Sequence, residues 1–406
     1  MVDRTRGFLA VFIFTFALSF AGPSHADSAS EIRVRLQSLS KGPIAVSGIA
    51  LRYPGSAPGA MGFQSLKISW KNSAKGRAAW TVEDRDTNRV LGRFEARTLE
   101  LVGMSLRVGL HSMPDRLSFA PRPTGAVDVI ARLELESYVR GVLPSEMPAS
   151  WPLEALKAQA VAARTFALFR KRARTKIDAT YDVESDVMDQ VYRNPLGEEG
   201  MSSKKSEMVD RAIRETKGVV LLNAGTHPFA TYFHADCGGH TEEPNAVWGP
   251  TESAGTTADE SCPTNPMASW TLRLAGDDIA KKFKIRAKLV AMKILERTSS
   301  GRIAKLQMKW SDGVVTTPSG HEFRMTMGHD KVRSAKFEIS KDEYGFELAG
   351  LGFGHGVGMC QWGARHLAKE GKFHREILAH YFPKAKFSDT QISSAEVSAE
   401  VSAEIR

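Results

Sequence analysis

Residues 133–169 read LELESYVRGVLPSEMPASWPLEALKAQAVAARTFALF, and the rest of the chain is interpreted outward from this stretch. Up to Pro144 the pattern predicts a strand running into a short amphipathic turn. From Trp151 it predicts a helix reaching about Lys176, with Ser150 as the cap and Pro152 in the first turn, where a missing N–H costs nothing. Leu153, Leu156, Ala160, Ala163 and Ala167 fall on a narrow stripe whose small side chains admit a close neighbour. Between the two elements lies Pro144-Ser145-Glu146-Met147-Pro148, a carboxylate in a proline-bracketed loop. Each proline biases the preceding residue toward extended geometry, so the backbone around Glu146 has few accessible shapes. Val142, Leu143, Met147 and Trp151 surround it in sequence. A carboxyl among apolar groups has its charged form disfavoured and its pKa raised, as a general acid near neutrality requires. The competing reading is a surface acid beside a helix N-terminus, where the macrodipole lowers the pKa.

Gln159 and Arg164 sit among the alanines of the helix. Either they point outward, or they are buried and need polar partners. Upstream, short alternating segments such as Ile32–Leu36, Ser65–Trp70, Ala78–Val82 and Leu99–Val102 are separated by Gly, Pro, Asn and Asp, predicting a β-rich portion over residues 27–130. Downstream, residues 198–217 read as a charged amphipathic helix, and Asn223-Ala224-Gly225 marks a hairpin. Residues from about 265 to 345 read as an inserted subdomain: 277–284 and 285–296 look helical or mixed, and 303–310 is a strand. The implied class is α+β: a mixed β-rich core with a central helix carrying the active-site loop, a β-rich N-terminal portion and a small insertion.

Two further clusters carry chemistry. Residues 350–364 hold six glycines around His355, with Cys360 and Gln361 nearby; such density gives the backbone access to positive φ and lets it approach a ligand closely. There is no Walker lysine and no dinucleotide pattern. His355 reads either as a ring bonded to the backbone of a tight loop or as a group exposed toward a cleft, Gln361 as able to hold a sugar acetamide, and Cys360 as a core residue. The other cluster is His234, Cys237 and His240, followed by Cys262. Two histidines and two cysteines match the ligand preferences of a structural zinc, although the spacing is not a standard zinc signature. A Cys237–Cys262 disulfide is the simpler account in an oxidising compartment.

That compartment is suggested by the N-terminus. Arg4 and Arg6 precede an apolar run from Phe8 to Phe20, and Ser24-His25-Ala26 offers small residues for cleavage, so residues 1–26 read as a secretory signal. The run is shorter than the roughly 20 residues of a spanning helix, leaving membrane attachment only through this segment if it stays uncleaved. The mature chain is expected in the periplasm or cell envelope. With 42% apolar residues in 406, the chain can bury sizeable cores, which excludes wholesale disorder. A net charge of +9 attracts polyanions, but lysines and arginines alternate with acids and no nucleic-acid motif is present. Residues 388–406 repeat Ser-Ala-Glu-Val and read as a disordered, solvated tail.

Taken together, Tyr138, Gly141-Val142, Glu146-Met147-Pro148, Trp151-Pro152, 154–160 (EALKAQA) and 162–165 (AART) resemble the signature of the stage II sporulation protein D and amidase-enhancer family, and 350–364 resembles its glycine-histidine loop. The family commonly has serine where this chain has Cys360. The resemblance implies a catalytic region over residues 131–387 and a peptidoglycan lytic transglycosylase with Glu146 as general acid and base. Tyr138, Gln159, Arg164, His355 and Gln361 would then bind substrate or support the acid. It implies peptidoglycan glycan strands as substrate, no required cofactor, and zinc in some members only. It equally admits a non-enzymatic glycan-binding module or an enhancer of a cell-wall amidase, with an amidase or other envelope proteins as partners. A conventional glycosidase would need a second carboxylate; Glu136, Asp182 and Glu242 lie near the motifs.

Overall fold

The computed structural model describes residues 31–39, 42–56, 62–73, 77–194, 203–224, 226–251, 255, 259, 265 and 268–388. The expected signal segment (residues 1–26), Cys262 and residues 389–406 lie outside these.

The N-terminal portion is one large sheet. Its strands are β1 (Glu31–Leu39), β2 (Ile44–Arg52), β3 (Phe63–Asn72), β4 (Ala78–Asp84), β5 (Val90–Ala96), β6 (Leu99–Val108), β7 (His111–Ser112), β8 (Arg116–Pro121) and β9 (Val127–Glu134). After helices α1 (Leu135–Glu146) and α2 (Leu153–Lys176), the short β10 (Val183–Glu184) joins the same sheet in parallel beside β1. The order is β10-β1-β9-β8-β6-β2-β3-β4-β5, with β7 paired to β6. Alternation puts Ile32, Val34, Leu66, Ile68, Trp80 and Val82 on the buried face, as the period of a half-buried strand dictates. Those side chains share one core with Tyr138, Val142 and Leu143 of α1 and Leu156, Ala160 and Ala163 of α2, so the sheet is built onto the helices without an intervening linker.

α2 is the centre of the molecule. The apolar stripe is wider than its sequence suggests: every residue from Ala155 to Leu168 is buried. Ala155, Leu156, Ala160, Ala163 and Ala167 face the sheet core. Ala158, Val161 and Ala162 face a second core with Phe229, Met359, Ile377, Leu378 and Tyr381. A helix enclosed on both sides has no solvent face on which to display polar groups. Gln159 and Arg164 are accordingly fully buried. Its N-cap position is occupied by Pro152, which offers no side-chain cap, so Ser150 does not take that role.

The remaining elements are α3 (Ser203–Glu215), β11 (Val220–Asn223), β12 (His227–Pro228), β13 (Phe233–His234), α4 (Pro244–Trp248), β14 (Ser269–Leu274), α5 (Gly276–Phe283), β15 (Leu289–Arg297), β16 (Ile303–Trp310), β17 (Val315–Thr316), α6 (Gly320–Met327), β18 (Phe337–Asp342), β19 (Gly345–Leu351), β20 (Met359–Cys360), α7 (Gln361–Lys369), α8 (His374–Tyr381) and β21 (Ala385–Ser388). β11 forms the expected hairpin with β12 and also pairs with β21. The inserted unit has its own core of Trp270, Ile279, Leu306, Phe323 and Leu348, contributed by the three-stranded sheets β14-β19-β18 and β15-β16-β17 and the helices α5 and α6. Most of residues 285–296, read from sequence as helical or mixed, lies in the strand Leu289–Arg297, paired antiparallel with β16 and bulged at Val290 and Leu295.

The largest difference from expectation is α1. Residues 135–146 form a twelve-residue helix with Glu134 capping Ser137 N, rather than a strand and turn. Pro144 lies inside its last turn, and the Ser145 hydroxyl donates to the Gly141 carbonyl at 2.9 Å. Gly141 is where α1 meets the following segment: a Cβ there would lie 2.3 Å from the Tyr192 ring and 2.6 Å from the Arg193 carbonyl. Gly141→Ala is therefore expected to destabilise the fold by about 2 kcal/mol through overpacking, read as a lower denaturant midpoint at unchanged slope.

Candidate active site

Glu146 is the last residue of α1, not a loop residue, and Met147 leaves the helix with φ −136° and ψ 133°, the extended geometry that Pro148 demands. The side chain is half-buried. Its Oε1 accepts a hydrogen bond from Val191 N at 2.5 Å. Burial pushes its carboxyl up to about 7, the Val191 N–H pulling the other way. Helix C-termini carry partial negative charge, which disfavours a carboxylate further. The surface-acid reading fails because the dipole end at Glu146 is the opposite one.

Support for this acid comes from three directions. The Gln361 amide donates to the Glu146 carbonyl at 3.1 Å and to Gln159 Oε1 at 3.3 Å, tying the end of α1 to α2 and to the start of α7. Gln361 is 7% exposed, so its amide is committed to bracing rather than to a sugar acetamide. Arg164 makes a bidentate pair with Glu136 at 2.9 and 2.7 Å and donates to the Val219 carbonyl at 3.1 Å, locking α1, α2 and the residue before β11 together. Tyr138, fully buried, donates to Gln190 Oε1 at 2.8 Å and stacks on Tyr192 with centroids 5.7 Å apart. Tyr138, Gln159, Arg164 and Gln361 thus hold Glu146 and its neighbours in place.

The three acids considered as second carboxylates are committed elsewhere. Glu136 pairs with Arg164, Asp182 accepts from Arg33 at 2.8 and 2.7 Å, and Glu242 accepts from Thr298 and Ser300 at 2.6 and 2.8 Å. The carboxylate that does share surroundings with Glu146 is Asp189. Both bear on the Tyr138 phenol, burial raises the Asp189 pKa, and an ion pair with Arg170 at 2.8 Å holds it. Asp189 was not distinguishable in sequence within a polar run; its nearness to Val191 and Tyr192 is what brings it here.

The glycine loop approaches from the other side. β13 and β20 pair in parallel with His234 beside Cys360, and the His234 Nδ1–H donates to the Val357 carbonyl at 3.1 Å. In the neutral ring this makes Nε2 the lone-pair nitrogen. The His355 ring accepts from Val357 N at 3.0 Å, so it is bonded within its loop, and it is half-buried. Burial, with His234, Arg324, His321 and Arg302 around it, holds His355 well below the usual histidine pKa. Its ring lies 5.5 Å from His234, 5.1 Å from Trp248 and 6.0 Å from Tyr232, centroid to centroid. Gly356 packs on the Arg302 guanidinium so tightly that a Cβ would sit 2.2 Å from Cζ, at a φ of +87°. Arg302 in turn donates to the Cys237 and His240 carbonyls at 2.7 and 2.9 Å.

Among the described residues, the group placed closely enough to hold a metal ion is not the one named from the sequence. His234, Cys237 and Cys360 place their ligand atoms within 4.8 Å of one another, all buried. His240 is not in the group; its Nδ1 is bonded to the adjacent Thr241 carbonyl at 2.6 Å. Cys360 takes its place because β13–β20 pairing puts it opposite His234, a long-range contact that spacing cannot show. Cys262 and its pairing with Cys237 lie outside the described residues. The Cys360 sulfur accepts from Cys237 N at 3.3 Å and Gly363 N at 3.4 Å, donates toward the Ala235 carbonyl at 3.8 Å, and caps α7. One imidazole and two sulfurs so arranged fit a zinc ion.

Comparison with known proteins agrees with this architecture. A family described as stage II sporulation protein matches residues 124–222, the span of β9, α1, α2 and β11, and a domain of unknown function matches residues 264–358, the inserted unit. The chain is 36% identical over 264 residues to an uncharacterised protein of Brachyspira hyodysenteriae, covering 63% of this chain and 66% of that one. It is 29% identical over 303 residues to the amidase enhancer of Bacillus subtilis, covering 60% of this chain but 39% of that protein. Stage II sporulation protein D of Bacillus subtilis is 30% identical over 277 residues, covering 66% of this chain and 76% of that protein. Since that likeness extends over three quarters of the relative and its family signature falls on the helices that present Glu146, the chain belongs to the stage II sporulation protein D family.

Proposed function

We propose that this chain is an exported lytic transglycosylase that cleaves the β-1,4 bond between N-acetylmuramic acid and N-acetylglucosamine in peptidoglycan glycan strands. The observation that carries this reading is the Glu146 carboxyl, pushed up to about 7 at the end of a braced helix. Protonated, Glu146 donates to the glycosidic oxygen as the C1–O bond breaks. As carboxylate it then takes the proton of the muramic C6 hydroxyl, whose oxygen bonds to C1 and closes a 1,6-anhydro ring. The proton gained balances the proton given, and water is not consumed. One acid suffices, which suits a site where Asp189, which also bears on the Tyr138 phenol, is held by Arg170.

Purified protein incubated with glycan strands is expected to release anhydro-ended fragments, detected by mass spectrometry. Hydrated reducing ends would point instead to a hydrolase. The acid must carry its proton for the first step, so kcat/KM is expected to be high below the Glu146 pKa and to fall about tenfold per pH unit once pH passes it. A rate flat between pH 6 and 9 would contradict the assignment. Likeness to an amidase enhancer favours a second reading, a glycan-binding partner of a cell-wall amidase without cleavage of its own. In that case Glu146→Gln leaves stimulation of the amidase intact.

His234, Cys237 and Cys360 are proposed holders of a structural zinc, which would tie the 237–242 loop to the glycine loop while leaving acid chemistry to Glu146. Elemental analysis should then find zinc in purified protein, and a strong chelator should lower the melting temperature.

A further inference from the structure

We infer that the inserted unit is a glycan-recognition element, and that His321 from this unit joins Trp248, Tyr232 and His355 in a sugar subsite beside the Glu146 acid. This rests on the glycan-strand reading of the site and assigns a role to residues 264–358, which match only a domain of unknown function.

Four rings from three separate parts of the chain converge here. Trp248 ends α4, and its ring lies 4.3 Å from Tyr232, 5.1 Å from His355 and 6.1 Å from His321. His321 stands in the first turn of α6, whose start is fixed by a reciprocal capping box between Ser319 and Glu322, so its backbone is rigid. The inserted unit is also clamped to the catalytic region. Thr298 and Ser300 donate to Glu242, Arg302 reaches the Cys237 and His240 carbonyls, and Lys336 donates to the Gly238 carbonyl at 2.8 Å. His321 is thereby held with its ring 6.1 Å from that of Trp248.

The cluster does not look like ordinary core. Trp248 is 42% exposed although it sits at the centre of the group, and Phe353, two residues before His355, is 39% exposed. An indole held by other rings yet open to solvent is a rigid amphipathic platform with little entropy left to lose on binding. Pyranose rings present an axial C–H face suited to such a surface, and their hydroxyls suit imidazole nitrogens. The glycine loop connects this platform to the acid: Gln361 at its end donates to the Glu146 carbonyl at 3.1 Å, Cys360 before it pairs with His234, and the His234 ring lies 5.5 Å from His355. A strand bound at Glu146 would meet this further ring position on the glycine-loop side, toward the inserted unit.

The test uses the mature chain carrying Glu146→Gln, so that binding is read without cleavage. Isothermal titration is made with isolated glycan strands and with chitin oligosaccharides of increasing length. Adding Trp248→Ala is expected to weaken long-strand binding roughly tenfold and to leave the shortest oligosaccharide nearly unaffected. His321→Ala should flatten the same length dependence by a smaller factor, and Trp248→Phe should retain most of the affinity. Melting temperatures of all variants serve as the folding control. Unchanged length dependence in both Trp248→Ala and His321→Ala, with the parent binding normally, would overturn the subsite. A parent that binds no glycan would overturn both the subsite and the glycan reading. A parent that binds while the wild type makes no anhydro ends would remove the cleavage reaction and leave the subsite standing.

Discussion

Glu146→Gln is expected to abolish release of anhydro fragments, by at least about a thousandfold, while making the protein more stable at alkaline pH. Both effects come from one cause. The carboxyl is raised from an ordinary 4.5 to about 7 because its surroundings disfavour charge. For a carboxyl raised on folding, the native state binds more protons than the unfolded chain between these two values, so stability falls as pH rises from about 4.5 to 7 and stays reduced above that. The penalty in the upper range is on the order of 3 kcal/mol. Glutamine removes it while leaving an oxygen for the Val191 N–H. At pH 8 the variant should therefore melt several degrees higher than the wild type, and below pH 4.5 the difference should vanish. Loss of activity together with a lower melting temperature at pH 8 would mean that the carboxylate is supporting structure instead.

The second large effect is expected at Arg164, whose guanidinium is fully buried against Glu136 and the Val219 carbonyl. Arg164→Ala leaves Glu136 facing a void and is expected to cost about 3 to 5 kcal/mol, a large share of the roughly 5 to 15 kcal/mol that stabilises a typical domain. Glu136→Ala should cost a similar amount. The double variant should lose clearly less than the sum, because each single change leaves one partner buried without the other. Measured by denaturant unfolding, simple additivity would show that the pair is not coupled. If the variants fold but lose glycan cleavage alone, Arg164 touches substrate and its bracing role is wrong.

How much of this was readable beforehand differs from one element to the next. α2 and its end at Lys176 were legible because a run of alanine, leucine and glutamine has strong helical propensity whatever surrounds it. The enclosure of α2 on both sides was not, since a small-residue face is compatible with one neighbour or two. α1 was misread for a local reason: Pro144 signals a break, but a proline can stand in a last turn when tertiary contacts such as those of Gly141 with Tyr192 and Arg193 fix the helix. The acid itself was legible, because Val142, Leu143 and Met147 announce an apolar setting by simple adjacency. The partners that set its pKa and position were not: Val191 lies 45 residues away and Gln361 lies 215 away. The same limit applies to Cys360, whose place opposite His234 depends on two-residue strands too short to carry any periodic signal. Trp248 and His321 likewise belong to different units of the chain, and only their packing relates them.

The most direct test of the central claim is to titrate Glu146 in the folded protein. Carboxyl resonances of carbon-13-labelled protein can be followed across pH, with Glu146→Gln identifying the signal. A midpoint near 7 is predicted, leaving the acid half protonated near neutral pH. A midpoint near 4.5, the value of an unperturbed glutamate, would contradict the account, for Glu146 would then be ionised when it has to give a proton.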